Sequence, residues 1–104
     1  MAEPMKIRTQ LNGDVADIRV AMMHIMETGQ RKDPRTAEVI PAHYIQQVQA
    51  TVNGKTVLSA QWGPAVSKNP FLGFRVRGVK AGDKLVVSWE DNKGERNSAE
   101  AVVK

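Results

Sequence analysis

No cysteine occurs in the 104 residues. No disulfide, thiolate nucleophile or zinc–thiolate centre can therefore come from this chain. That absence leaves the compartment open, because proteins of oxidising compartments need not carry disulfides. Aromatics are scarce: two Trp, two Phe and one Tyr make no stacking platform for bases. No run of about 18 apolar residues is present, so no helix is expected to cross a membrane. The serines are Ser59, Ser67, Ser88 and Ser98, and none sits in a Gly-x-Ser-x-Gly elbow. No HExxH and no cluster of Asp and His at ligand spacing can be read. An enzyme is not expected, nor a cofactor or a metal site. No segment has a helical period of useful length.

What is there reads as one small domain. Apolar content of 41% is ordinary for a globular chain. A chain of this length buries roughly 60–70% of the surface its unfolded form exposes, enough for a single core. The net charge is +4 and the pI near 9.7. The cations Lys6, Arg8, Arg19, Arg31, Lys55, Arg75, Arg77 and Lys84 are scattered and often alternate with apolar residues. That is the pattern of outward strand positions. It reads as a solvated face that steers acidic partners or an anionic substrate, not as a nucleic-acid site.

Alternation of period two dominates. From Met5 to Leu11, Ile7, Thr9 and Leu11 share one face. Asn12-Gly13-Asp14 is a turn. Val15 to Met26 follows as a long strand with Ile18, Val20, Met22, His24 and Met26 on one side. Ala42 to Asn53 places Val48, Ala50 and Val52 inward, with Tyr44 and Ile45 breaking the alternation. Asn53-Gly54 is the strongest hairpin signal. Lys55 to Trp62 pairs back with Thr56, Leu58, Ala60 and Trp62 on one side and Val57 on the other. Phe71 to Arg77, the strand of Leu85, Val87 and Trp89, and a last strand ending Ala101-Val102-Val103 complete about seven strands. The expected fold is all-β: an immunoglobulin-like sandwich of antiparallel strands over residues 1–104, without the disulfide of antibody domains. Trp62 and Trp89 are its candidate anchors.

Two stretches stand out against this background. Glu27 to Pro41 is a loop too polar to pack by itself, and a long loop on a short-looped β domain usually carries function or a contact. Gly29 is free to take a positive φ. Arg31 offers a planar fork for a carboxylate or a sulfonate-like oxyanion, or pairs with Glu27 or Asp33. The second stretch, Gly63 to Asn69, ends in Asn69-Pro70. Met22, His24 and Met26 admit two readings. Thioether and imidazole ligands suit copper, whereas methionines fill gaps in a sandwich core and His24 caps a strand. Nothing in the sequence places His43 beside His24.

His24-x-Met26-Glu27-x-Gly29-Gln30-Arg31-x-Asp33 resembles the signature loop of the SoxZ family. Ile40-Pro41, Pro64-Ala-Val-Ser67-x-Asn69-Pro70-Phe71 and Trp89-x-Asp91-x-x-Gly94 follow in the family's order. The departures lie in Pro34-Arg-Thr-Ala-Glu38. The resemblance implies a sandwich fold and a non-catalytic subunit of the SoxYZ carrier of thiosulfate and sulfur oxidation. It implies a heterodimer with SoxY, whose C-terminal Gly-Gly-Cys-Gly-Gly arm holds the sulfur intermediates, and transient docking of SoxAX, SoxB and SoxCD. His24, Met26, Glu27, Gly29, Arg31, Asp33, Ser67, Asn69, Pro70 and Phe71 are the candidate partner-binding residues. The N-terminal Met-Ala-Glu-Pro-Met-Lys lacks the basic and apolar regions of a secretory signal. The resemblance implies export to the periplasm on the partner's twin-arginine signal. The alternatives are a periplasmic copper-binding sandwich and a generic immunoglobulin-like interaction module.

Overall fold

The computed structural model describes residues 5–104, so most of the N-terminal stretch read for a leader lies outside it. Seven strands follow one another: β1 (Lys6–Asn12), β2 (Val15–Ala21), β3 (Ile45–Val52), β4 (Lys55–Gln61), β5 (Phe71–Arg77), β6 (Lys84–Asp91) and β7 (Arg96–Val102). All pairs are antiparallel. They form a three-stranded sheet, β1-β2-β5, and a four-stranded sheet, β4-β3-β6-β7. This is the expected immunoglobulin-like sandwich, and the described residues contain no helix.

The hairpins follow from local chemistry. Asn53 and Gly54 both take positive φ, 50° and 84°. A two-residue turn of that kind matches the twist of its flanking strands. The inward residues Ile18, Val20, Ile45, Val48, Leu85 and Val87 are fully buried. Each such side chain contributes about 1.5–3 kcal/mol by leaving water. Trp89 joins them, whereas Trp62 packs against this core only partly buried.

Three details depart from the period-two reading. β2 ends at Ala21. Met22, His24 and Met26 stay buried beyond the end of β2, although Met26 turns to a left-handed φ of 53°. The register slips between Ala50 and Thr51, so that Val57 is the extra residue of a bulge. That slip turns Thr56 outward and leaves Val57 half-buried, opposite to the simple alternation. A second slip, between Ile45 and Gln47, accounts for the irregular start of β3.

The registers gather charge that looked dispersed along the chain. Rows Lys6–Ala21–Phe71, Arg8–Arg19–Gly73, Gln10–Asp17–Arg75 and Asn12–Val15–Arg77 run across the outer face of the three-stranded sheet. Five cations meet one carboxylate there, because every second residue of three adjacent strands falls on the same side.

Candidate functional site

The end of the sandwich beyond β2 is tied together by a buried carboxylate. Asp91, the last residue of β6, is fully buried. Its Oδ2 accepts from His24 Nε2 at 3.0 Å and from His43 Nε2 at 2.7 Å. Its Oδ1 accepts from the main-chain N–H groups of Lys93 and Glu95 at 3.0 and 2.9 Å. An ionised carboxylate has about four acceptor positions, and four donors fill them. Burial pushes the Asp91 carboxyl upward. The bonds from His24, His43, Glu95 and Lys93 outweigh it and hold the group below its ordinary value.

The histidine sequence reasoning could not place therefore sits beside His24. Their rings stand edge to face with centroids 4.5 Å apart, and Trp89 packs edge-on to His24 at 5.1 Å. The reading that no Asp/His cluster exists is corrected: the donor atoms of His24, His43 and Asp91 lie within 4.8 Å of one another. The His24–Asp91 bond spans 67 residues of sequence, and no local spacing announces the cluster.

The cluster's chemistry is that of a clamp. Met26 N–H donates to His24 Nδ1 at 3.2 Å. That nitrogen is therefore bare and the proton sits on Nε2, facing Asp91. A metal at this point would need Nε2 bare and Nδ1 protonated, and a protonated Nδ1 would face the Met26 N–H. Both ring nitrogens of His24 are occupied, so it has no lone pair to offer a substrate proton. The Met26 sulfur accepts from Ile45 N–H at 3.3 Å, and Met22 is buried in the core. The methionines thus take the gap-filling role, and His24 does more than cap a strand.

Around the clamp the two candidate stretches meet. His24 N–H donates to Asn69 Oδ1 at 3.0 Å, and Asn69 N–H returns to the His24 carbonyl at 2.9 Å. Met22 N–H donates to the Pro70 carbonyl at 3.0 Å. Asn69 and Met26 hold φ of 52° and 53°. For Met26 such a conformation is costly, and the bonds to its nitrogen and sulfur maintain it. Pro70 is buried, Ser67 is exposed, and Phe71 is 65% exposed.

The polar loop is a ribbon. Glu27 and His43 exchange main-chain bonds of 2.6 and 3.0 Å. Lys32 and Val39 bridge farther out, with the chain reversing around Ala37, at φ 61°. Of the two roles open to Arg31, the structure has the paired one. Its fork grips the Glu27 carboxylate, and this bond lowers the pKa of Glu27. Asp33 instead caps the reversal, accepting from Arg35 N–H at 2.9 Å.

Gly29 is required here. Its φ is +86°, and an added Cβ would lie 3.1 Å from the Ala42 Cβ. Gly29→Ala is expected to cost about 1–2 kcal/mol, the penalty of a left-handed alanine with a tight contact. A thermal unfolding curve checks it.

The model of the family described as "Sulphur oxidation protein SoxZ" matches residues 5–102. No curated protein matches the chain. The crystal structure of a hypothetical protein from Pyrococcus horikoshii OT3 is similar, with a TM-score of 0.65 at 15% identity. The match covers 99% of this chain and 88% of that one. At that identity the likeness concerns the fold alone.

Proposed function

The chain belongs to the SoxZ family, and from that membership we propose that it is the non-catalytic subunit of a periplasmic sulfur-carrier heterodimer. Family membership assigns the chain to sulfur oxidation. In the proposed assembly the sulfur intermediates ride on the cysteine of a SoxY partner. This chain supports that partner and forms part of the surface on which SoxAX, SoxB and SoxCD dock.

The observation that carries the reading is the convergence of the family-like residues. His24, Asn69, Pro70, Trp89 and Asp91 come from three separated stretches and meet in one clamp. The clamp has no free ring nitrogen on His24 for catalysis. It fixes the root of the Glu27–Pro41 ribbon and the corner that holds Phe71 out to solvent. Rigid support of an exposed aromatic is what a docking surface needs. The lack of cysteine fits as well, since a second thiol beside the carrier thiol would exchange with its adduct.

Co-expression with the neighbouring reading frame tests the proposal. The expected product is a one-to-one complex in the periplasm with a chain ending in a glycine-flanked cysteine. A lone monomer retained in the cytoplasm would overturn it.

A further inference from the structure

A sandwich has four edge strands, and here they differ in how they end. β1 and β7 close on one another: Leu11 N–H donates to the Lys104 carbonyl, and Thr9 Oγ1 bonds the Val102 carbonyl and the Lys104 N–H. β4 carries the bulge at Val57, a device that twists an edge away from further pairing. β5 is regular and, unlike β1 and β7, shows no bond to the edge of the facing sheet among the described residues. Its seven residues pair with β2 in one unbroken register, with no proline, lysine or bulge. Among the described residues no strand pairs with its other side.

The phase of the β2–β5 ladder says which groups lie on that open side. Met22 N–H bonds the Pro70 carbonyl at one end, and Gly78 N–H bonds the Asp14 carbonyl at the other. Both pairs fall in the register that continues through Val20–Leu72, Ile18–Phe74 and Ala16–Val76. Hydrogen-bonded and non-hydrogen-bonded pairs alternate in an antiparallel ladder. Leu72, Phe74 and Val76 therefore spend their main-chain bonds on β2. Phe71, Gly73, Arg75 and Arg77 direct N–H and C=O groups to the free edge. The core thins toward the edges: Ile7, Leu11, Leu58, Leu72, Phe74 and Ala99 are only partly buried, while β3 and β6 supply fully buried residues.

We infer that the free edge of β5 receives an edge strand of the partner subunit, extending the three-stranded sheet by strand addition. This rests on the carrier reading above. The chemistry of the occupant follows from the face beside the edge. Arg77, and Arg75 with the part of its exposed fork that the 3.3 Å bond to Asp17 leaves over, call for acidic side chains on the same face of the added strand. Phe71, its ring leaning over Gly73 at 3.8 Å from where a Cβ would stand, calls for an apolar one. A second copy of this chain would set its own β5 arginines against these, and like charges facing one another disfavour it.

Amide hydrogen exchange on the chain, free and co-purified with the cysteine-bearing partner, tests the inference. In the free chain the amides of Leu72, Phe74 and Val76 exchange slowly and those of Gly73, Arg75 and Arg77 fast. In the heterodimer the fast set slows by at least about tenfold. Arg75→Pro removes one outward N–H and no main-chain bond to β2, and the Arg75–Asp17 side-chain bond is lost equally in Arg75→Ala. The proline variant is expected to weaken partner binding at least about tenfold beyond Arg75→Ala, which keeps the N–H. A stable heterodimer whose Gly73, Arg75 and Arg77 amides stay fast overturns the edge and leaves the carrier reading standing. Concentration-dependent protection in the free chain overturns the occupant, making it a second copy. Failure of the wild-type chain to bind any partner removes the carrier reading and this inference together.

Discussion

Replacing Asp91 by asparagine is expected to lower the melting temperature by about 12 °C or more, although the two side chains have nearly the same shape. Asp91 meets donors on both sides: two imidazole N–H groups at Oδ2 and two main-chain N–H groups at Oδ1. An asparagine must turn its NH2 toward one of these pairs. Facing the histidines, it meets the His24 Nε2–H, which cannot move to Nδ1 because that nitrogen accepts from Met26. Facing the turn, it meets Lys93 and Glu95. In either orientation buried donors lose their acceptor, at about 1–3 kcal/mol each. A total of about 3 kcal/mol or more, at roughly 4–8 °C per kcal/mol for a domain of this size, sets the expected shift. Circular dichroism melts of the two proteins measure it. A variant melting with the wild type would mean that the four bonds do not hold this end of the sandwich.

The same carboxylate dictates how the fold responds to acid. Its pKa is lowered in the folded state, so its share of the stability is fully present above the unfolded value, about 3.9. That share is lost as the pH falls through the lower folded value. Asp83 acts in the same sense. Its carboxyl is lowered first by the Lys80 main-chain N–H and next by Asn53. The Glu27–Arg31 pair adds little, because its arginine is mostly in water. Acid unfolding of the wild type is therefore expected below about pH 4, with Asp91→Asn already weakened at neutral pH and losing less as acid is added.

How much of this could be read beforehand depends on the range of the interaction. The strands are legible because a period of two is a local property: Ile7, Leu72 and Leu85 each declare their face within a few residues. Asn53-Gly54 declares its turn in two. The bulge at Val57 is not legible, since it depends on how β3 and β4 align and not on β4 itself. The ribbon within Glu27–Pro41 escaped for a related reason. Gly29 and Pro34 interrupt any alternation, and only isolated bridges hold the two sides. His43 and Asp91 escaped as functional residues because their neighbourhood is made by pairing Ile45 with Asp91. The motifs around His24, Asn69 and Asp91 were visible one by one, but their meeting point was not. The basic face needed the register across three strands before Arg8, Arg19 and Arg75 could be seen together.

Phe71→Ala and Met26→Ala, which the sequence places on equal footing, are expected to separate sharply. Met26 is 7% exposed and belongs to the core. Its sulfur satisfies the Ile45 N–H, and its main chain is held at φ 53°. Truncation removes buried methylenes and an acceptor, a loss of about 2–5 kcal/mol in folding stability. Any effect on the partner then follows from a loosened clamp and disappears once the folded fraction is taken into account. Phe71 is 65% exposed, and its outward ring supports no fully buried neighbour. Its loss should change folding stability by no more than about 0.5 kcal/mol. As an anchor in the proposed heterodimer the ring would be worth about 2 kcal/mol or more, so Phe71→Ala is expected to give a roughly thirtyfold weaker complex. Titration calorimetry against the purified partner, paired with a melt of each variant, reads both quantities. Unchanged affinity for Phe71→Ala would move the contact away from the corner that Asn69 and Pro70 build.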